Sequence, residues 1–195
     1  MIELIELKNI VKKYDNLIVF DQLNLQLRSN CTTAIMGKSG RGKTTLLRLL
    51  LNLEKPDSGE ILGIESKLLS AVFQEDRLID NLTIYQNICL PHMHKHSIPS
   101  RSEVSSALAA LDIDTDIDKK VNELSGGMKR RVSIIRAIMS LYDILILDEP
   151  FKGLDVKTKE ITMQYVKSNT ENKTVLLVTH DRTEIDFIGC KVIEI

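Results

Sequence analysis

No stretch of these 195 residues approaches the ~18 uninterrupted apolar residues of a membrane span, so the chain is expected to be soluble on its own. The first residues lack a secretory apolar core with a cleavage site after it, which argues against export. Cysteine is scarce: Cys31, Cys89 and Cys190 are odd in number, scattered, and form no C-x-x-C pair. That pattern excludes a disulfide framework and predicts reduced, mostly buried thiols in a cytosolic protein. Charge of one sign is missing too. With 26 Lys and Arg against 27 Asp and Glu, the net charge is −1, and no global basic field exists to gather nucleic acid or an anionic membrane. Internal repeats and low-complexity linkers are absent, and the length suits one domain with a sizeable core.

What is present is concentrated in a few segments. Gly37-Lys38-Ser39-Gly40-Arg41-Gly42-Lys43-Thr44 fits G-x-x-x-x-G-K-[ST]. Thr33-Ala34-Ile35-Met36 before it reads as a buried strand, and residues 45–51 after it read as a helix that stops at Lys55-Pro56. In that setting the glycines let backbone N–H groups turn inward at a helix N-terminus and form an anion cradle. Lys43 is expected to reach the β- and γ-phosphates, and the Thr44 hydroxyl to ligate Mg²⁺. A glycine-rich turn before an ordinary helix is the bland alternative, and the context on both sides weighs against it.

Elsewhere the periodicity alternates between strand and helix. Residues 2–7 and the alternating Leu23-Asn24-Leu25-Gln26-Leu27 predict a small, partly antiparallel sheet. A short apolar run at 70–73 ends at Gln74. Ser100 and Glu103 form a capping box for a helix carrying Val104, Ala107, Leu108 and Leu111, and Gly126-Gly127 opens another through Ile134, Ile135 and Ile138. Residues 144–147 and 174–179 are continuous apolar runs, as in strands covered on both faces, and 191–195 would close the sheet. The pattern argues an α/β core with a helical excursion over 81–138.

Two further constellations carry chemistry. The run into Asp148-Glu149 sets two carboxylates at the C-terminal end of a central strand, the edge where open α/β sheets bind ligands. Asp148 is expected to hold Mg²⁺, directly or through water, and Glu149 to orient and deprotonate an attacking water. Leu124-Ser125-Gly126-Gly127-Met128-Lys129 is a second anion receptor at a helix N-terminus. The first cradle already surrounds a triphosphate, so the second makes sense if it serves a nucleotide on another copy of the chain.

The ordered set GKSGRGKT, Gln74, LSGGM, ILILDEP, Gly153-Leu154-Asp155 and His180 resembles the ATP-binding subunits of ABC transporters, from about Tyr14 onward. The resemblance implies an α/β fold: a P-loop NTPase core, mostly parallel sheet flanked by helices, with a small antiparallel β subdomain and an inserted α-helical subdomain. It implies one ATPase domain over 1–195, the core approximately 1–80 and 139–195 and the helical part approximately 81–138. Two such subunits would meet head to tail and enclose two MgATP. Gly37, Lys38, Ser39, Gly40, Arg41, Gly42, Lys43, Thr44 and Thr45 would then hold the nucleotide, and Tyr14 would stack on adenine. Ser125, Gly126 and Gly127 would reach the γ-phosphate of the partner's ATP. Lys43, Gln74, Glu149 and His180 form the expected catalytic set, with Thr44, Gln74 and Asp148 around Mg²⁺ and Asp155 at the dimer interface.

The implied partners are a second ATPase subunit and integral-membrane transporter chains, docked around residues 75–98, with the protein cytoplasmic and peripheral at the inner face of the membrane. Nucleic acid is not expected, since the long insertion of DNA-maintenance relatives is missing; an ATP-dependent regulatory switch is the other alternative. The segment Val72–Leu78 with LSGGMK looks like the nitrate, sulfonate and taurine importer group. Met128 stands where Gln is usual and Lys152 where a small residue is usual. The short 56–74 segment suggests a trimmed sheet, and with the sequence ending soon after the last strand no C-terminal regulatory domain is expected.

Two metal-like patterns are set aside. Asp112, Asp114, Asp116 and Asp118 with Glu123 imitate a calcium loop, but Ile117 occupies the position where the sharp turn demands Gly. His92, His94 and His96, between Pro91 and Pro99, are expected in an exposed loop rather than around Zn²⁺.

Overall fold

The computed structural model describes residues 4–38, 40–93 and 98–195. Its centre is a five-stranded sheet made of β3 (Thr32–Met36), β5 (Leu69–Val72), β6 (Ile144–Asp148), β7 (Thr174–Val178) and β8 (Lys191–Glu194). The strand order is β5-β6-β7-β3-β8, and every pairing is parallel. All five residues of β6 and all five of β7 are buried, which explains their unbroken apolar runs. The pleat then divides them. Ile144, Ile146, Leu176 and Val178 face one hydrophobic cluster, while Leu145, Leu147, Val175 and Leu177 face another on the opposite side.

The first cluster is closed by a second sheet, β1 (Leu4–Tyr14), β2 (Leu17–Arg28) and β4 (Ser58–Leu62), antiparallel in the order β2-β1-β4. Its inner residues Ile5, Leu7, Ile10 and Phe20 pack with Leu46, Leu49 and Leu50 of helix α1 (Lys43–Leu50). The hairpin is longer than residues 2–7 and 23–27 predict, because repeated register shifts in β1 break its alternation. The 56–74 segment, short as it is, supplies a strand to each sheet.

A third cluster belongs to the helical region: α2 (Ile84–Cys89), α3 (Arg101–Ala110) and α4 (Gly126–Met139). Ile84, Ile88, Val104, Leu108, Leu111, Val132 and Ile135 form it, all nearly inaccessible; each such side chain contributes ~1.5–3 kcal/mol by burial. Both α2 and α3 begin in capping boxes, Thr83 with Gln86 and Ser100 with Glu103. Helices α5 (Val156–Asn169) and α6 (Arg182–Ile188) follow β6 and β7 and are capped by Asp155 and Asp181.

Two expectations fail. The three cysteines are only partly buried, because Cys89 ends α2 while Cys31 and Cys190 lie in the connections just before β3 and β8. His92 is 2% exposed rather than out in a loop, since a 3-10 turn at Leu90–His92 carries α2 onward and folds the ring inward. His94 and His96 lie outside the described residues, and no cluster of metal-ligating side chains forms among the described ones. No helix among the described residues is long and apolar enough to cross a membrane.

Candidate functional site

Parallel order decides where the chemistry collects. Strands β5, β6, β7 and β3 run side by side in one direction, so the residues that follow them emerge along one edge. Gln74 follows β5, Asp148 and Glu149 end β6, Thr179-His180 follows β7, and Gly37–Gly42 follows β3. That edge is where an open α/β sheet holds its ligand.

A cavity of about 660 Å³ opens there, lined by Tyr14, Gly37, Lys38, Gly40, Gly42, Lys43, Thr44, Thr45, Gln74, Glu149, Lys152 and His180, together with Leu17 and Val19 of the hairpin. Gly42 is the N-cap of α1 and takes a left-handed conformation, φ 92°. A Cβ on it would lie 2.6 Å from Val19 and 2.8 Å from Phe20. Backbone geometry and crowding therefore both demand glycine. The Lys43 ammonium donates to the carbonyls of Gly37 (2.7 Å) and Lys38 (3.0 Å), holding the loop arched over the helix start. Ser39 is outside the described residues, and Arg41 lies in the loop without lining the cavity. Tyr14 ends β1, 38% exposed, its hydroxyl donating to Glu54.

The carboxylates differ in environment. Asp148 is 4% exposed, and among the described residues its buried Oδ1 has no hydrogen-bond partner. Burial and the neighbouring Glu149 charge push its carboxyl up, against opposing pulls from Arg130, Lys43 and Lys152. A buried carboxylate oxygen without a donor is the kind of oxygen a hard cation such as Mg²⁺ takes, and the Thr44 hydroxyl on the cavity wall is a second hard oxygen at this edge. Glu149 has φ 46°, unusual for a residue with a side chain. Its Oε2 meets Lys152 Nζ at 2.7 Å and its Oε1 meets His180 Nδ1 at 3.3 Å. Burial alone would raise the Glu149 carboxyl; Lys152 and His180 outweigh it and hold it below the ordinary range. Lys152, left without a role by its sequence, thus sits against the expected base.

Not everything converges. Ser125 caps α4 and accepts from the Met128 N–H at 3.3 Å, with Gly126 and Gly127 as the first helical residues. None of the three lines the cavity. Asp155, the cap of α5, is exposed and absent from the lining as well.

Two features escaped sequence reasoning. Arg130 is 5% exposed and donates to backbone carbonyls of the 148–150 turn and of Phe73 and Gln74, although it stands in a Lys-Arg-Arg run. Below His180, Lys159 of α5 pairs with Asp181 and Glu184, both at 2.6 Å, and Glu184 accepts from the Thr179 hydroxyl at 2.5 Å. The helical spacing of Asp181 and Glu184, three apart at a helix start, was the available signal.

Known proteins bear on this geometry. The ABC transporter family matches residues 20–152. The sulfate/thiosulfate import ATP-binding protein CysA of Bradyrhizobium diazoefficiens is 32% identical over 206 residues, covering 97% of this chain and 60% of its own length. The spermidine/putrescine import ATP-binding protein PotA of Acetivibrio thermocellus is 35% identical, covering 92% of this chain and 55% of its own. The chain thus spans little more than half the length of these relatives. Among solved structures, the dimeric structure of a bacterial ABC transporter cassette superposes with a TM-score of 0.83 at 31% identity, covering 98% of this chain and 94% of that one. The same cassette in a dimeric post-hydrolysis state bound to ADP and Pi gives 0.84 at 30% identity, with the same coverage. On those likenesses the chain belongs to the ABC transporter family, as an ATP-binding cassette.

Proposed function

We propose that this chain binds and hydrolyses ATP as one of a head-to-tail pair, and that the pair powers a membrane transporter whose spanning helices lie on other chains. One observation carries the reading: the Ser125-Gly126-Gly127 turn, an anion receptor by its sequence, heads α4 outside the cavity that the Gly37–Thr45 loop lines. Facing a second copy gives that turn a ligand. The dimeric form of the solved cassettes supports the arrangement.

Within each compartment the cradle at Gly37–Thr45 would grip the triphosphate, with Lys43 exchanging its two carbonyl partners for phosphate oxygens. Thr44, Asp148 and Gln74 would hold Mg²⁺, which neutralises charge on the phosphates. Tyr14, with Leu17 beside it, offers adenine an exposed ring and an apolar edge. Glu149 would accept the proton of the attacking water once His180 leaves its Oε1 for the γ-phosphate, and Lys152 would keep hold of Oε2. Positioning and charge stabilisation account for the rate.

Import is the favoured direction, since the CysA and PotA relatives are import ATP-binding proteins by name. Their substrates, sulfate/thiosulfate and spermidine/putrescine, are opposite in charge, which supports a cargo chosen by other subunits. The VFQEDRL and LSGGMK segments favour the nitrate, sulfonate and taurine group within that range. The protein would then work in the cytoplasm, against the inner face of the membrane.

Mixing two inactive variants tests the shared site. A Lys43→Ala chain spoils its own cradle, and a Ser125→Arg chain spoils its partner's compartment. A mixed pair keeps one intact compartment, so hydrolysis should return on mixing. If both variants fold and associate but the mixture stays inactive, the shared-site reading is wrong.

A further inference from the structure

A single guanidinium holds the catalytic edge together. Arg130 lies one turn into α4, the helix that Ser125 opens, and points away from solvent at 5% exposure. Its Nε donates to the Pro150 carbonyl at 2.9 Å, and its Nη2 to the carbonyls of Asp148 (2.9 Å) and Glu149 (2.6 Å). Its Nη1 donates to the Phe73 carbonyl, to Asp76 Oδ1 at 3.1 Å and, more weakly, to the Gln74 carbonyl at 3.4 Å. All five N–H groups of the fork are engaged, on two loops that no other side chain bridges in this way among the described residues.

Those loops carry Gln74 and Glu149. Glu149 sits at φ 46°, a conformation that a side-chain-bearing residue keeps only when its surroundings over-determine it. The bonds from Arg130 to the carbonyls of Asp148, Glu149 and Pro150 supply that constraint on one side. The Glu149 N–H bond to Val178 (2.9 Å) supplies it on the other. We propose that Arg130 is a positioning residue for hydrolysis: it ties helix α4 to the Gln74 loop and the Asp148–Pro150 turn, so that the base is aligned only while α4 keeps its place. The proposal rests on the two-copy reading for one consequence. Because Ser125 at the head of α4 would engage the partner's nucleotide, a protomer's own base would feel that engagement through Arg130, and the two sites would act in concert.

Arg130→Lys is the informative variant, since it keeps the charge and the stem but has no planar fork to span both loops. Arg130→Met, in the full chain, removes the charge as well. None of the Arg130 bonds reaches the phosphate loop, so ATP affinity measured by equilibrium titration should stay within about twofold, while kcat falls roughly 10- to 100-fold, as for a misplacement of about 1 Å at a reacting group. The rate of Arg130→Lys against ATP concentration should also lose any sigmoid shape that the parent shows. In a Glu149→Gln background, Arg130→Lys should leave ATP-driven pairing intact, because it acts on alignment and not on assembly.

A parental kcat in Arg130→Lys overturns the proposal. So does a loss of ATP affinity in step with kcat, which marks a general structural role. If Arg130→Met does not fold, Arg130→Lys decides alone. A Glu149→Gln chain that stays monomeric at saturating ATP speaks against the two-copy reading instead, and the kcat-against-affinity split still judges Arg130 within one protomer.

Discussion

Glu149 is caught between a lysine and a histidine, one on each carboxylate oxygen. Lys152 is the more unusual neighbour, and its effect on proton chemistry has a definite sign. The ammonium stabilises the ionised carboxylate and so lowers the Glu149 pKa. Lys152→Met removes that stabilisation, the carboxyl rises, and the proposed base stays protonated to higher pH. The acid limb of the kcat–pH profile should therefore move to higher pH in Lys152→Met and stay near the parent in Lys152→Arg. An acid limb that does not move in Lys152→Met would show that the lysine is a bystander. Residues of this kind were legible only in part. Lys43, Asp148 and Glu149 stand in fixed local patterns whose chemistry follows from spacing. Arg130 acts on partners that tertiary structure brings to it, at residues 73–76 and 148–150, and no local window contains that information; Lys152 lies only three residues from Glu149, but the turn that joins them rests on a left-handed Glu149 that the sequence does not announce.

At the scale of elements, the link between α5 and α6 lies under His180. Lys159 reaches from α5 to Asp181 and Glu184 of the next element, and its hydrogen bond is the largest cause holding Asp181 at a pKa of about 2. A folded value below the unfolded ~3.9 means that the stabilisation is present above that pH and is lost as pH falls through the folded value. Asp181→Asn keeps the helix cap and removes the charge. Parent and Asp181→Asn should thus differ in urea stability at neutral pH and converge between pH ~4 and about 2. A gap that stays constant with pH would place the difference outside this ion pair.

Elements were legible where one period dominated. The runs at 144–147 and 174–179 read as buried strands because both faces are covered, and Ser100 with Glu103 announced α3. The long hairpin of β1 and β2 was seen only in pieces, since bulges shift its register and leave Leu17 and Ile18 exposed, 65% and 53%. His92 was misread for a related reason. A histidine between prolines has loop composition, while its burial is set by packing against elements distant in sequence.

The whole molecule presents an asymmetric surface around the Gln74 loop. Asp76 is half-buried and pairs with Arg130 at 3.1 Å, so reversing its charge would disturb the catalytic edge as well as any docking face. Arg77 is different. It is exposed, stacks on the Phe73 ring with 3.5 Å to the centroid, and is followed by Ile79 at 49% exposure. If membrane chains dock here, Arg77→Glu should weaken their co-purification roughly tenfold while leaving ATP affinity unchanged. Undiminished co-purification would move the docking face elsewhere.

The close seating of Gly42 against Val19 and Phe20 joins the antiparallel hairpin to the loop that opens α1. If that loop holds nucleotide as proposed, variation at Val19 and Phe20 would retune retention from the hairpin side, leaving the loop's own residues unchanged, which gives evolution a dial separate from the chemistry.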